Sequence, residues 1–198
     1  PRDHARACRL LVEPAKRVID LGVVEYMGTE QRVRRLFINT AGLGFDAAVV
    51  ERLRGSFLRR MKGTFPYVVS VVLTLGGYGN KPVTLDVDGR RGEGRIFSIV
   101  VNNGRYFGGG MKIAPDADPG DGLLDVVVIG DVGKLEVLST FPKVYRGTHV
   151  THPKVMACQA KSIQVESAER LLLQVDGELV GEAPARFEVL PAALTVAR

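Results

Sequence analysis

Residues 102–129 read NNGRYFGGGMKIAPDADPGDGLLDVVVI, and within them Asp116, Asp118, Asp121 and Asp125 alternate with Pro and Gly before an apolar run begins. Carboxylate oxygens are hard donors that suit Mg2+ or Ca2+, and Pro115, Pro119, Gly120 and Gly122 can fold backbone carbonyls toward the same point. The spacing is not that of an EF-hand. With Asp116 as the first position, Gly120 stands where the fifth ligand belongs and Val127 where the bidentate Glu belongs. On chemistry alone two readings stay open: a turn held by Asx caps that starts a hairpin, and an ion site.

A second pair of carboxylates, Asp176 and Glu178, flanks a glycine in QVDGELV, residues 174–180. Asp-Gly between apolar runs is the ordinary hairpin signal. The chain carries its own comparison, because Val-Asp-Gly also stands at 87–89, followed by Arg90 where the later copy has Glu178. Pattern alone makes both copies turns.

Three further motifs resemble known sites. GLGFDA at 42–47 fits the loose G-x-G-x-x-A dinucleotide fingerprint between a strand and a helix, but about 20 residues on, where an acidic residue should meet the ribose, the chain reads MKGTFPY. A tight strand-to-helix turn is the expectation there. GGYGN at 76–80 has no Lys for a phosphate loop and reads as a helix end. His149 and His152 could share a helical face, but no third metal ligand stands near them. Surface or capping histidines are expected.

Strands dominate after residue 80. Val83, Leu85 and Val87 alternate with Thr84, Asp86 and Asp88, the period of a strand with one face buried, and RIFSIVV at 95–101 follows the turn-rich GRRGEG as the second arm of a hairpin. Other strands are expected at 123–129, 162–167, 170–175, 185–190 and 193–197, with RVIDLGVVEY (17–26) and RRLFINTA (34–41) as a first pair. Helices are expected at 3–12, 45–54, 66–75 and 134–147. Close spacing by turns implies antiparallel pairing, and no repeat divides the chain. The expected fold is mainly β: one domain over residues 1–198, an antiparallel β-sandwich decorated with a few α-helices.

Composition agrees with a globular domain: 198 residues, 45% hydrophobic and 25% charged. The longest apolar run, FPYVVSVVLTL at 65–75, is too short for a bilayer span of roughly 20 residues, and the first residues have neither signal-peptide shape nor an initiating Met. Cys8 and Cys158 lie far apart with no CxxC or Cys/His cluster, so free thiols in a reducing cytoplasm are expected. Residues 1–62 hold thirteen Lys/Arg against seven Asp/Glu, and residues 63–198 hold fourteen against fifteen, so the +5 excess sits at the front. That front, with Arg32, Arg34, Arg35, Arg52, Arg54, Arg59, Arg60 and Lys62, could attract phosphate or an anionic membrane surface. Nucleic acid is not expected, because the basic residues are not interleaved with aromatics.

The succession FINTAGLGFDAAVV, NNGRYFGGGMKIAPDADPGDGLLDV and LLLQVDGELVGEAPARFEVLPAAL resembles the C-terminal half of the diacylglycerol kinase and sphingosine kinase family of lipid kinases, closest to its bacterial members. The resemblance spans nearly the whole chain. It implies that Asn102, Asn103, Gly108, Gly109 and Gly110 line a cleft facing a nucleotide-binding half. It implies a structural Mg2+ site at Asp118, Asp121 and the carbonyl of Leu123. The family's Asp-Gly-Glu carries the catalytic base, which makes Asp176 and Glu178 the candidates, undivided by sequence, and leaves Asp88 a plain turn residue.

The family's Gly-Gly-Asp-Gly-Thr nucleotide loop, carried on an N-terminal α/β domain, does not occur in this sequence. Two readings follow, a piece of a longer kinase, inactive alone, or a free-standing relative that has lost phosphotransfer, and the first is the expectation. ATP would be the phosphoryl donor, Mg2+ would assist, and a diacylglycerol-like or sphingoid-base-like lipid would be the acceptor, met at the inner membrane surface by a cytoplasmic protein. The rival class is a non-enzymatic sandwich that binds a lipid or a partner.

Overall fold

The computed structural model describes residues 15–28, 30–54 and 65–197, together with Cys8. The helix expected at 3–12, apart from Cys8, and the basic residues Arg59, Arg60 and Lys62 lie outside the described residues. Elements follow in the order β1 (Lys16–Met27), β2 (Arg32–Phe37), β3 (Thr40–Gly44), α1 (Phe45–Arg54), α2 (Phe65–Gly77), β4 (Lys81–Val87), β5 (Arg90–Ile96), β6 (Ser98–Asn102), β7 (Leu124–Ile129), α3 (Lys134–Arg146), β8 (Val155–Ala160), β9 (Ser162–Glu166), β10 (Leu172–Val175) and β11 (Glu178–Ala197).

All strand pairs are antiparallel, in the order β5-β4-β9-β11-β10-β3-β6-β7-β8, with β1 joining β11 to β2. This curled sheet is the sandwich expected. One layer is β10-β3-β6-β7-β8. The other is built from β5, β4, β9, β11, β1 and β2, and Phe37, Phe187, Ile163 and Val165 from it meet Leu43, Ile99, Val101, Leu124 and Val126 in the interior.

The strand β6 is buried at every position, because both of its faces are covered. Ile99 and Val101 point into the sandwich, while Val100 faces the opposite side with Ile113, Ala117 and Val127. On that outer side Phe45 and Val49 of α1, Val71 and Leu75 of α2, and Val137 and Phe141 of α3 pack with Phe97 and Val132. α3 starts where Glu136 accepts the Gly133 N–H at 3.0 Å and stops at Gly147 with φ 75°.

Four boundaries differ from the sequence reading. RRLFINTA is two strands, since β2 ends at Phe37 and β3 starts at Thr40 in the other layer. RIFSIVV is likewise cut at Phe97. GRRGEG is mostly strand β5, and the turn before it is only Asp88–Gly89. The two runs expected at 185–190 and 193–197 are one strand, β11, which pairs with β10 through Glu178–Glu182 and with β9 through Ala185–Glu188. The two crossings fall at Ile38–Asn39 and at Phe97, inside segments with strand character on both sides, so periodicity carries no mark of them. β8, VMACQA, was not expected: an edge strand without the β-branched residues that signal one, apart from Val155. Both Cys8 and Cys158 are free thiols.

Phe187 is fully buried and meets Phe37 edge-on at 6.5 Å between ring centroids. Phe187→Ala should lower unfolding stability by about 3–5 kcal/mol, whereas Gly92→Ala, with nothing within 4 Å of the added carbon, should stay within about 0.5 kcal/mol. Denaturant unfolding of the two variants checks this.

Candidate functional site

The two Val-Asp-Gly copies have the same backbone. Asp88 and Gly89 have φ of 49° and 83°, Asp176 and Gly177 of 47° and 85°, the two-residue turn whose twist matches antiparallel strands. Each Asp also caps a neighbouring segment. Asp88 accepts the N–H groups of Lys161 and Ser162 at 3.1 and 2.9 Å, and Asp176 those of Ile38, Asn39 and Thr40 at 2.9, 3.1 and 2.9 Å.

What separates the copies is their surroundings. Asp176 holds the crossing from β2 to β3 and lines a cavity of about 290 Å³ with Asn39, Asp46, Phe107, Gly108 and Gln174. Asp88 lies on a groove beside β5 and β8. Glu178, across the turn from Asp176, is exposed and pairs with the guanidinium of Arg35 on β2. The tight turn thus sends the two carboxylates to different partners. Of the four bonding sites on the Asp176 carboxylate, three are taken among the described residues, two on Oδ1 and one on Oδ2.

Asp46, which the sequence reading passed over inside GLGFDA, is the buried centre of this region. Its Oδ1 accepts from the Ser98 hydroxyl at 2.8 Å and its Oδ2 from the Gln174 amide at 3.0 Å. Burial pushes its carboxyl above the usual carboxylate range, and these two hydrogen bonds pull it part of the way back. Gln174 also accepts the Gly177 N–H at 2.9 Å, so one amide ties Asp46 to the Asp176 turn. Gly42 makes room for the carboxylate: a Cβ there would come within 1.8 Å of Asp46 Oδ2. The first glycine of the apparent dinucleotide fingerprint therefore serves an acid in the next helical turn. The available signal was that acid, set in a run otherwise apolar from residue 41 to 50.

Asp46 stands between two spaces. Besides the polar cavity it borders an apolar one whose walls include Phe97, Val100, Met111, Ile113, Phe141 and Val144. His149, expected as a surface or capping residue, is buried beside this cavity with Nε2 3.1 Å from the Ile113 carbonyl; burial lowers its pKa. His152 instead meets Glu136 at 3.2 Å.

Gly108, Gly109 and Gly110 have φ of 49°, 83° and 99° in succession, a left-handed run that side chains would strain, and it brings bare backbone to the cavity at Gly108. Asn102 and Asn103 are wholly buried beneath that wall. Asn102 Oδ1 accepts from the Thr40 hydroxyl at 3.0 Å, while its amide donates to the carbonyls of Val100 and Asp125 at 3.1 and 3.3 Å. The Asn103 amide donates to the Asp20 and Ile38 carbonyls at 2.9 and 2.8 Å. The pair ties the β2–β3 crossing to the acidic loop.

In that loop Asp118 accepts the Gly120 N–H at 3.1 Å and pairs with Arg17. Asp121 accepts the Leu123 N–H at 3.0 Å and the Gln159 amide at 2.9 Å. Asp20, also missed in the sequence, is buried and accepts the N–H groups of Gly122 and Ala192, each at 2.7 Å. Burial first, then the charges of Asp121 and Asp116, push Asp125 up to about 6, against a hydrogen bond from Gln159. Among the described residues no cluster of three or more His, Cys, Asp or Glu is placed to hold a metal. The donor set still fits Mg2+, which commonly takes one or two carboxylates and keeps several waters. Asp118, Asp121 and the Leu123 carbonyl are hard oxygens on one tight turn, with the Arg17 guanidinium as their competitor.

Residues 39–198 match the family described as the YegS C-terminal NAD kinase beta sandwich-like domain. The chain belongs to that family. The YegS-type domain is 29% identical over 210 residues to a diacylglycerol kinase of Mycobacterium tuberculosis, covering 99% of this chain and 65% of the relative. It is 29% identical over 187 residues to a diacylglycerol kinase of Staphylococcus carnosus, covering 94% and 58%. The chain thus spans less than two-thirds of the length of these relatives. A crystal structure of a diacylglycerol kinase from Bacillus anthracis superposes with a TM-score of 0.64 at 20% identity, over 98% of this chain and 58% of the other, and shares the fold.

Two measurements test the YegS-type site. Added Mg2+ should raise the melting temperature of the parent and raise that of Asp121→Ala clearly less, since a bound ion stabilises the folded state by mass action; equal shifts contradict the metal fit. Because the folded-state pKa of Asp46 lies above its unfolded value of 3.8, its contribution is full below that value and is lost as pH rises through the folded one. Asp46→Asn should therefore gain stability relative to the parent as pH climbs, read from denaturant midpoints across pH.

Proposed function

We propose that this chain is the acceptor-binding, base-carrying half of an ATP-dependent lipid kinase, working with a nucleotide-binding half outside this chain. The observation that carries the reading is the Asp46–Gln174–Gly177 connection. It joins an apolar cavity, suited to hydrocarbon, to a polar cavity with Asp176 on its wall. An amphipathic molecule with a hydroxyl at the border of its apolar part fits that pair of spaces. Family membership and the names of the relatives point the same way.

In this reading the lipid's hydrocarbon lies against Phe97, Val100, Ile113 and Phe141, and its hydroxyl reaches the mouth near Gly108. Bare backbone at Gly108 to Gly110 lets the phosphate-bearing partner come close. ATP supplies the phosphoryl group and Mg2+ screens its charge when bound. The hydroxyl loses its proton as its oxygen attacks phosphorus, and a carboxylate of Asp176 or Glu178 within hydrogen-bond reach accepts it. Asp46, hydrogen-bonded and buried, orients the acceptor from beneath. Asp118, Asp121 and the Leu123 carbonyl would hold a structural Mg2+ that stiffens the loop under Asn102 and Asn103. The acceptor, diacylglycerol-like or sphingoid-base-like, is met at a membrane surface by a cytoplasmic protein.

The matched turns make the test. In the whole protein, Asp176→Asn or Glu178→Gln should lower kcat by about 100-fold or more, the usual size of a general-base contribution. Asp88→Asn should leave kcat within about threefold, although it and Asp176→Asn both weaken caps on equivalent turns and should cost comparable stability in thermal melts. If both site variants keep the parent's kcat, or the change at 88 is the damaging one, the assignment fails.

A further inference from the structure

The helix α2 is apolar on both sides: Val71 and Leu75 pack inward, and Val72 and Leu73 face out. Its thirteen residues, FPYVVSVVLTLGG, carry no charge. The hydroxyl residues Ser70 and Thr74 are buried, their hydroxyls without a hydrogen-bond partner among the described residues, while Val72 and Leu73 are 53% and 52% exposed. An amphipathic helix of a soluble domain keeps its outward side polar. α3 adds a second apolar strip. Val137, Phe141 and Val144 turn inward and wall the apolar cavity, whereas Leu135, Leu138 and Tyr145, on one stripe of the helix by their spacing, face out, Leu135 at 83% exposure. The two helices share a packing cluster, and Lys134 donates its ammonium to the Gly76 carbonyl at the end of α2.

Charge around this face is one-sided. α3 carries Lys134, Lys143 and Arg146 against Glu136, and Glu136 is turned to Lys154 and His152. Lys143 and Arg146 make no ion pair among the described residues. Two of the three arginines of β2 are placed differently, Arg35 pairing with Glu178 and Arg34 lying 3.8 Å from Glu25. Exposed apolar side chains beside unpaired cations complement an anionic bilayer, whose surface attracts basic residues and whose interior takes apolar ones.

We infer that the outer face of α2 and α3, through Val72, Leu73, Leu135, Leu138 and Tyr145, is the surface by which the protein sits on an anionic lipid bilayer. The inference rests on the lipid-kinase reading for the choice of a bilayer as occupant. It deepens that reading, because the helix that would touch the bilayer with one side walls the apolar cavity with the other.

The test is co-sedimentation of the whole protein with vesicles of phosphatidylcholine alone or mixed with phosphatidylglycerol. The parent should be retained on the mixed vesicles. Leu135→Glu with Leu138→Glu should cut retention by about tenfold or more, Leu73→Glu should cut it separately, and Leu138→Trp should raise it, since tryptophan favours the membrane interface. Lys143→Gln with Arg146→Gln should lessen the preference for the anionic mixture. Undiminished retention of both Leu→Glu proteins overturns the inference. So does a parent that is dimeric in solution and becomes monomeric on the Leu135 and Leu138 changes, since a second copy would then be the occupant. Turnover on a soluble short-chain diacylglycerol separates this inference from the kinase reading: the Leu→Glu proteins should keep it, and its absence in the parent would count against the kinase while leaving the vesicle result intact.

Discussion

The arrangement of this domain depends on one carboxylate at a chain crossing. Where β2 leaves one layer and β3 enters the other, Ile38, Asn39 and Thr40 present three N–H groups that no ladder satisfies, and Asp176 accepts all three. A net hydrogen bond contributes about 1 kcal/mol, and leaving such groups unpaired costs more. The turn between β10 and β11 is therefore fixed to the crossing, and the crossing to β6 through Thr40 and Asn102. The same contact that closes the fold puts Asp176 on the wall of the polar cavity.

Beneath that turn the domain holds an acid where an apolar residue would be the stable choice. Asp46 is satisfied by Ser98 and Gln174 but kept from water, and a buried carboxyl persists only when its bonds offset desolvation. Local rules are broken in the same neighbourhood more than once: three consecutive left-handed glycines beside the cavity, and an apolar helix facing outward above it. Departures of this kind concentrate at functional sites, where stability yields to a ligand.

Much of the architecture was legible in the sequence because alternation marks a half-buried strand. The three described helices, the antiparallel pairing and the Asp-Gly hairpins follow from period and turn chemistry. The crossings were hidden, since FINTA and IFSIV read as continuations of one strand through Ile38–Asn39 and Phe97, where the chain changes layers. Asp46 was hidden by a motif that looked like something else, and its meaning lies in Gly42 and Gln174, one near in sequence and one 128 residues away. Asp176 and Glu178 were legible as a pair but not as two environments; only the turn sends one to the β2–β3 crossing and the other to Arg35. Which side of α2 faces outward could not be read at all, because a helix of apolar residues has no preferred side until its neighbours exist.

The most direct test is phosphoryl transfer itself. The whole protein, given ATP labelled on its γ-phosphate, Mg2+ and mixed vesicles carrying diacylglycerol or a sphingoid base, should move the label into a lipid phosphomonoester extracted into organic solvent. Label that remains in ATP or appears only as free phosphate with every lipid hydroxyl offered, while the protein binds both ATP and the vesicles, would contradict the account.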